Sequence, residues 1–116
     1  MKFLFILNDP PYGTERSYNG LRLAGNLATK HEQAEVDVFL MADAVACAKS
    51  GQTTPNGYYN LERMLKPVLR RGKVVLCGSC MDARGLKEAE IAEGTRRSTL
   101  DELGQLTAAA DKVMVF

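Results

Sequence analysis

Two cysteines three positions apart, Cys77 and Cys80, are the residues of this chain best suited to covalent chemistry. They stand in the run Cys77-Gly78-Ser79-Cys80-Met81-Asp82-Ala83-Arg84-Gly85, directly after the apolar segment Val74 to Cys77. A strand that ends there, followed by a helical turn opening at Cys80, sets that thiol among unpaired backbone N–H groups. Such groups favour an anion and draw a thiol toward thiolate, its nucleophilic form. Arg84 lies one helical turn further on and brings positive charge, unless it forms only a surface ion pair with Asp82. Gly78 leaves the backbone free to approach a bound group. The chemistry implied is that of an activated sulfur. Cysteine also serves as a small buried hydrophobe. That reading fits Cys47, on an alanine-rich stretch, and stays open for Cys77.

The remaining composition narrows the chemistry. Cys47, Cys77 and Cys80 are the three cysteines, an odd number and no disulfide framework. One Cys-x-x-Cys pair supplies two zinc ligands, with neither a second pair nor a spaced His pair to complete a site, so no metal and no cofactor is expected. His31 is the single histidine; it falls at a helix end, where its charge suits the helix dipole. Fifteen Lys and Arg stand against 14 Asp and Glu, a net charge of +1, which argues against a nucleic-acid partner. No apolar run approaches the ~20 residues that cross a bilayer. The apolar start Phe3 to Leu7 is cut off by Asn8-Asp9-Pro10-Pro11 and reads as a strand rather than a leader. A cytoplasmic location is therefore expected, away from membranes.

The elements that must position the thiols alternate strand and helix over 116 residues, the pattern of one α/β domain with a parallel sheet. Phe3 to Leu7 is apolar on both faces, as a central parallel strand is. Thr14 is placed to cap a helix running to about Lys30, with Glu15 in its first turn. Val36 to Met41 is the second strand, and Asp43 is placed to cap a short helix Ala44 to Lys49. A polar loop from Ser50 leads to Asn60, a cap for the helix whose buried stripe is Leu61, Met64, Leu65, Val68 and Leu69. Pro67 should kink that helix, and Gly72 should end it. Val74 to Cys77 is the third strand, with short helical pieces between about Met81 and Ala92. Gly94 to Arg97 is an edge-strand candidate. Thr99 and Glu102 have capping-box spacing for a last helix, and Lys112 to Phe116 reads as a strand inside the sheet.

Ligands of parallel α/β sheets bind beyond the carboxyl ends of the strands. A second turn reaches that edge, Asn8 to Glu15, and makes Tyr12 and Glu15 candidates for substrate binding beside Gly78, Ser79 and Asp82. A turn-and-cap role serves Tyr12 and Glu15 equally well. Tyr58-Tyr59 suits packing or a contact between subunits. A thioredoxin-like arrangement is disfavoured: its motif follows an early strand, whereas this pair comes at residue 77, and no proline follows Pro67.

Four segments together resemble the DsrE/DsrF-like sulfur-relay family, in its YchN-like branch. They are Pro11-Tyr12-Gly13-Thr14-Glu15 with Leu21-Arg22-Leu23-Ala24; Val38 to Val45; Gly57-Tyr58-Tyr59-Asn60; and Cys77 to Gly85, with the tail Ala110 to Phe116 in accord. The resemblance implies a three-layer α/β/α fold around a mostly parallel five-stranded sheet. It also implies assembly into a homo-oligomer, a trimer or hexamer, with the family cysteine near subunit contacts. That cysteine corresponds to Cys80, which would accept sulfur as a persulfide from a donor protein and pass it to an acceptor protein. Cys77 corresponds to an earlier cysteine and is a possible resolving thiol. Two other readings compete: a Cys77/Cys80 dithiol redox protein, and a non-enzymatic module that binds a ligand or partner.

Overall fold

A computed structural model describes residues 1–116. The sheet comprises β1 (Lys2–Leu7), β2 (Glu35–Leu40), β3 (Val74–Cys77), β4 (Arg96–Ser98) and β5 (Lys112–Val115). All pairings are parallel and the order is β4-β3-β2-β1-β5. Alternate residues of each strand point to opposite faces, and the two faces are covered unequally. Phe5, Leu7, Val36, Val38, Val74 and Leu76 belong to a core of 19 buried residues. Helix α1 (Arg16–Lys30), the 3₁₀ helix Ala42–Ala48, α2 (Leu61–Met64) and α3 (Lys66–Leu69) close it. The opposite face carries a cluster of four, Leu4, Phe39, Val75 and Leu103, under α5 (Leu100–Ala109) alone.

Local chemistry accounts for most boundaries. Asn60 accepts a hydrogen bond from the Arg63 N–H at 3.1 Å and so caps α2. Pro67 has no N–H for the Arg63 carbonyl, and the expected kink divides the helix at Leu65 into α2 and α3. Thr99 caps α5 by accepting from the Glu102 N–H. The Glu102 carboxylate turns to Arg96 and Ser98 instead of back to the cap.

Four expectations are corrected, and a fifth holds for a different reason. Glu15, not Thr14, is the N-cap of α1 and lies outside its first turn; the Thr14 hydroxyl, one residue earlier, donates to Asp9 and accepts from the Arg16 N–H at 3.4 Å. Met41, not Asp43, precedes the 3₁₀ helix, and Asp43 binds Arg84. Gly72 does end the helical turns, its N–H closing the last one on the Val68 carbonyl at 2.8 Å, but without a left-handed conformation; a Cβ there would stand 1.9 Å from the Val36 carbonyl oxygen, so close approach of β2 requires glycine. A helix, α4 (Gly78–Ala83), begins directly after β3, three residues before the predicted helical pieces. Finally, β5 is an edge strand, with Val115 61% exposed; its β-branched residues need only one neighbour, β1.

Candidate functional site

The carboxyl ends of β2, β3 and β4 frame a cleft of about 410 Å³, lined by Met41, Cys77, Gly78, Ser79, Cys80 and Arg97 together with Phe39 and the turn Ser98–Leu100. Cys77 ends β3 and forms the N-cap of α4, so Cys80 falls in the helix's first turn. Both thiols are partly exposed. They straddle the sheet: Cys80 packs against the large core, Cys77 against the small cluster under α5. Cys47 is fully buried, and burial pushes its thiol up to about 12.

The two cleft thiols influence each other's ionisation, and they do so unequally. Burial raises Cys77, but hydrogen bonds from Cys80, from the Ser79 hydroxyl (3.3 Å) and from the backbone N–H groups of Cys80 and Ser79 outweigh it. The net effect lowers the Cys77 pKa. Burial raises Cys80 as well, and there the charge and hydrogen bond of Cys77 add to it. The backbone N–H of Ala42 and the charge of Arg84 pull the other way without reversing the shift. The expectation that Cys80 is the readier thiolate is thus inverted in the resting pair. Cys77 is the readier of the two to ionise, and Cys80 the more reluctant.

Arg84 explains part of this inversion. Its Nε donates to Asp43 Oδ1 at 2.8 Å and its Nη1 to the Cys80 carbonyl at 3.1 Å. The guanidinium fastens α4 to the 3₁₀ helix more than it faces the thiol. Ala42, at the start of that helix, holds φ +52. A non-glycine residue in this conformation costs about 1 kcal/mol, and such strain gathers at functional sites. Here it accompanies the N–H that serves Cys80.

Sequence reasoning missed Arg97. In the β3–β4 register Cys77 stands opposite Ser98, which brings the neighbouring Arg97 to the cleft. Its Nη1 and Nη2 donate to Asp82 Oδ1 and Oδ2, each at 2.8 Å. A Cβ on Gly78 would lie 2.7 Å from Arg97 Nε and 2.8 Å from Cζ, so the guanidinium rests on the bare Gly78 backbone. Gly78 therefore makes room for a side chain of this chain. Asp82 lies outside the cleft lining and holds Arg97. The faint local signal for Arg97 was its place in the Gly94–Arg97 strand candidate.

Tyr12 and Glu15 are not brought to the thiols. They line a separate cleft of about 320 Å³ with Tyr18 and Tyr59. Strand β2 lies between β1 and β3, which sets the two turns roughly 10 Å apart at the sheet. Tyr12 donates to the side chain of Gln52, and the rings of Tyr18 and Tyr59 stack at 4.2 Å between centroids.

The family model described as DsrE/DsrF-like family matches residues 1–116. The chain belongs to the DsrE/DsrF-like family. It is 38% identical to protein YchN of Escherichia coli K12, covering 99% of this chain and 98% of YchN. It is 39% identical to protein MJ0989 of Methanocaldococcus jannaschii over the full length of both. The crystal structure of E. coli YchN superposes with a TM-score of 0.93 over 100% of this chain and 99% of that one. A protein of unknown function from Methanobacterium thermoautotrophicum, MTH1491, is only 13% identical but shares the fold, with a TM-score of 0.72 and 97% of each chain covered. The DsrE/DsrF-like fold thus accounts for the whole molecule, and no helix in it is long and apolar enough to cross a membrane.

Proposed function

We propose that this chain is a cytoplasmic sulfur carrier that takes sulfur onto Cys80 as a persulfide and hands it to a partner. The observation that carries the reading is a pair of partly exposed thiols lining one cleft, each shifting the other's ionisation, in a DsrE/DsrF-like chain whose third cysteine is sealed in the core. In loading, the Cys77 thiolate takes the proton of Cys80. The Cys80 sulfur then attacks the outer sulfur of a donor persulfide, the donor's S–S bond breaks, and the donor leaves as a thiol carrying the proton. An acceptor thiolate attacks the outer sulfur of the Cys80 persulfide to complete transfer. Alternatively, the Cys77 thiolate attacks the inner sulfur and expels hydrosulfide. That leaves a Cys77–Cys80 disulfide, which a dithiol reductant reopens. The thin cover of the α5 face, with Leu100 and Val115 exposed, suits assembly into a trimer or hexamer.

Mass spectrometry after treatment with a small persulfide donor tests the reading. A gain of about 32 Da, one sulfur atom, is expected on Cys80 and lost in Cys80→Ser. Cys77→Ser should load more slowly, and Cys47 should stay unmodified in the native protein. Wild-type protein that gains no sulfur on Cys80 would sink the proposal. Ready formation of a Cys77–Cys80 disulfide in such protein would favour dithiol redox chemistry, the second role the same pair supports.

A further inference from the structure

We propose that Arg97 is the anion-binding residue of the thiol cleft, and that what it holds is the negative charge on the sulfur being transferred. Arg97 is the one charged residue in the cleft lining. A guanidinium carries five N–H donors. Two are engaged by Asp82, and Arg97 makes no other hydrogen bond within the chain, which leaves three. The two-point grip of Asp82 fixes the plane of the group, and the bare Gly78 backbone receives it. A planar donor set held on two sides and open on the third is a preorganised anion site. Within the cleft the group that can carry negative charge is sulfur: Cys77 lines it beside Arg97, and its charge is among the influences that raise Arg97, after the dominant hydrogen bond to Asp82 and the charge of Glu88. A persulfide terminus built on either thiol extends one S–S bond further into the same cleft. Asp82 has a second effect. By partly neutralising Arg97 it keeps the site a moderate anion binder, suited to a group that must also leave.

This assignment rests on the sulfur-carrier reading for its natural ligand, but its test does not. Alkylation rates of Cys77 and Cys80 are measured on the full chain with iodoacetate, an anion, and iodoacetamide, its neutral counterpart. The ratio of the two rates cancels thiol ionisation and reports the field at the sulfur. Arg97→Gln should lower the iodoacetate-to-iodoacetamide ratio about twofold to fivefold, the range of one partly exposed charge interaction. Asp82→Asn removes the neutralising partner and should raise the ratio. Arg97→Lys keeps the charge without the fork and should fall between wild type and Arg97→Gln. A ratio unmoved in Arg97→Gln overturns the assignment, and so does a ratio unmoved in Asp82→Asn, which leaves Arg97 in place should the first variant fold poorly. Failure of wild type to take up sulfur while these ratios move would remove the sulfur reading alone. Normal sulfur uptake with unmoved ratios would remove the role of Arg97 alone.

Discussion

Two turns reach the same edge of the sheet, one after β1 and one after β3, and each leads into a helix. They use their polar groups differently. In the turn after β1 the groups bind one another: Thr14 donates to Asp9, Ser17 donates to the Asp9 carbonyl at 2.7 Å, and Tyr12 donates to Gln52. Gln52 then ties in the rest, donating from Nε2 to the Cys47 and Lys49 carbonyls at 2.9 and 2.8 Å and from its backbone N–H to Glu62. Its own carbonyl accepts from Asn60. In the turn after β3 the one side-chain bond the thiols make is that of Cys77 with Ser79, and beside them Arg97 of β4 binds Asp82 alone, leaving three donors without a partner in the chain. Position at the sheet edge is shared. Uncommitted thiols beside open guanidinium donors are found only at the second, and an anion that reacts with sulfur needs both.

The comparison breaks most readily at Gln52. Gln52→Ala should destabilise the fold by about 1–2 kcal/mol, because it removes the donor of two partly exposed carbonyls and the acceptor of the Tyr12 hydroxyl at once. Urea unfolding measures the loss. Alkylation of Cys77 and Cys80 in the folded variant should match wild type. A parallel shift in thiol reactivity would mean that the two turns are one coupled site.

A smaller effect sharpens the other side. Glu102 fastens α5 to β4 by binding Arg96 and Ser98 at the rim of the thiol cleft. Hydrogen bonds from Arg96 and then Ser98 hold its carboxyl well below the usual range, at about 2. A folded pKa below the unfolded one adds stability that is full above the ordinary carboxylate range and lost as pH falls through about 2. Arg96 is half exposed, so after solvent screening Glu102→Gln should cost about 1 kcal/mol at neutral pH. The difference from wild type should shrink between the ordinary carboxylate range and the lower value. A difference that persists unchanged at low pH would assign the cost to packing.

How much of this was legible in the chain follows from how local each feature is. Continuous apolar runs marked the strands, and Asn60, Pro67 and Thr99 marked helix ends through bonds made within four residues. The Cys77/Cys80 pair was legible for the same reason. Arg97 was not, because its meeting with Cys77 depends on strand register between segments 20 residues apart. The partition of Tyr12 from the thiols depends on β2 standing between β1 and β3, a matter of sheet order. The strained Ala42 has no local signature either, since alanine does not prefer a left-handed backbone. The edge placement of β5 was hidden because a strand with one neighbour and a strand with two can share the same β-branched composition.

The smallest predicted effect is the most pointed, because it concerns a residue that position alone would assign to the site. Tyr12→Phe removes one hydroxyl, which donates to Gln52 and accepts from the Leu61 N–H at 3.4 Å. The ring stays in its cleft, so packing is kept. The cost should be about 0.5–1 kcal/mol, one ordinary hydrogen bond, read from the urea midpoint. Sulfur loading of Cys80, followed by mass, should proceed at the wild-type rate. The hydroxyl's partners are Gln52 and a backbone N–H, and none of its interactions reaches the thiol cleft. A tenfold drop in loading with unchanged stability would place Tyr12 in the reaction and join the two turns into a single site.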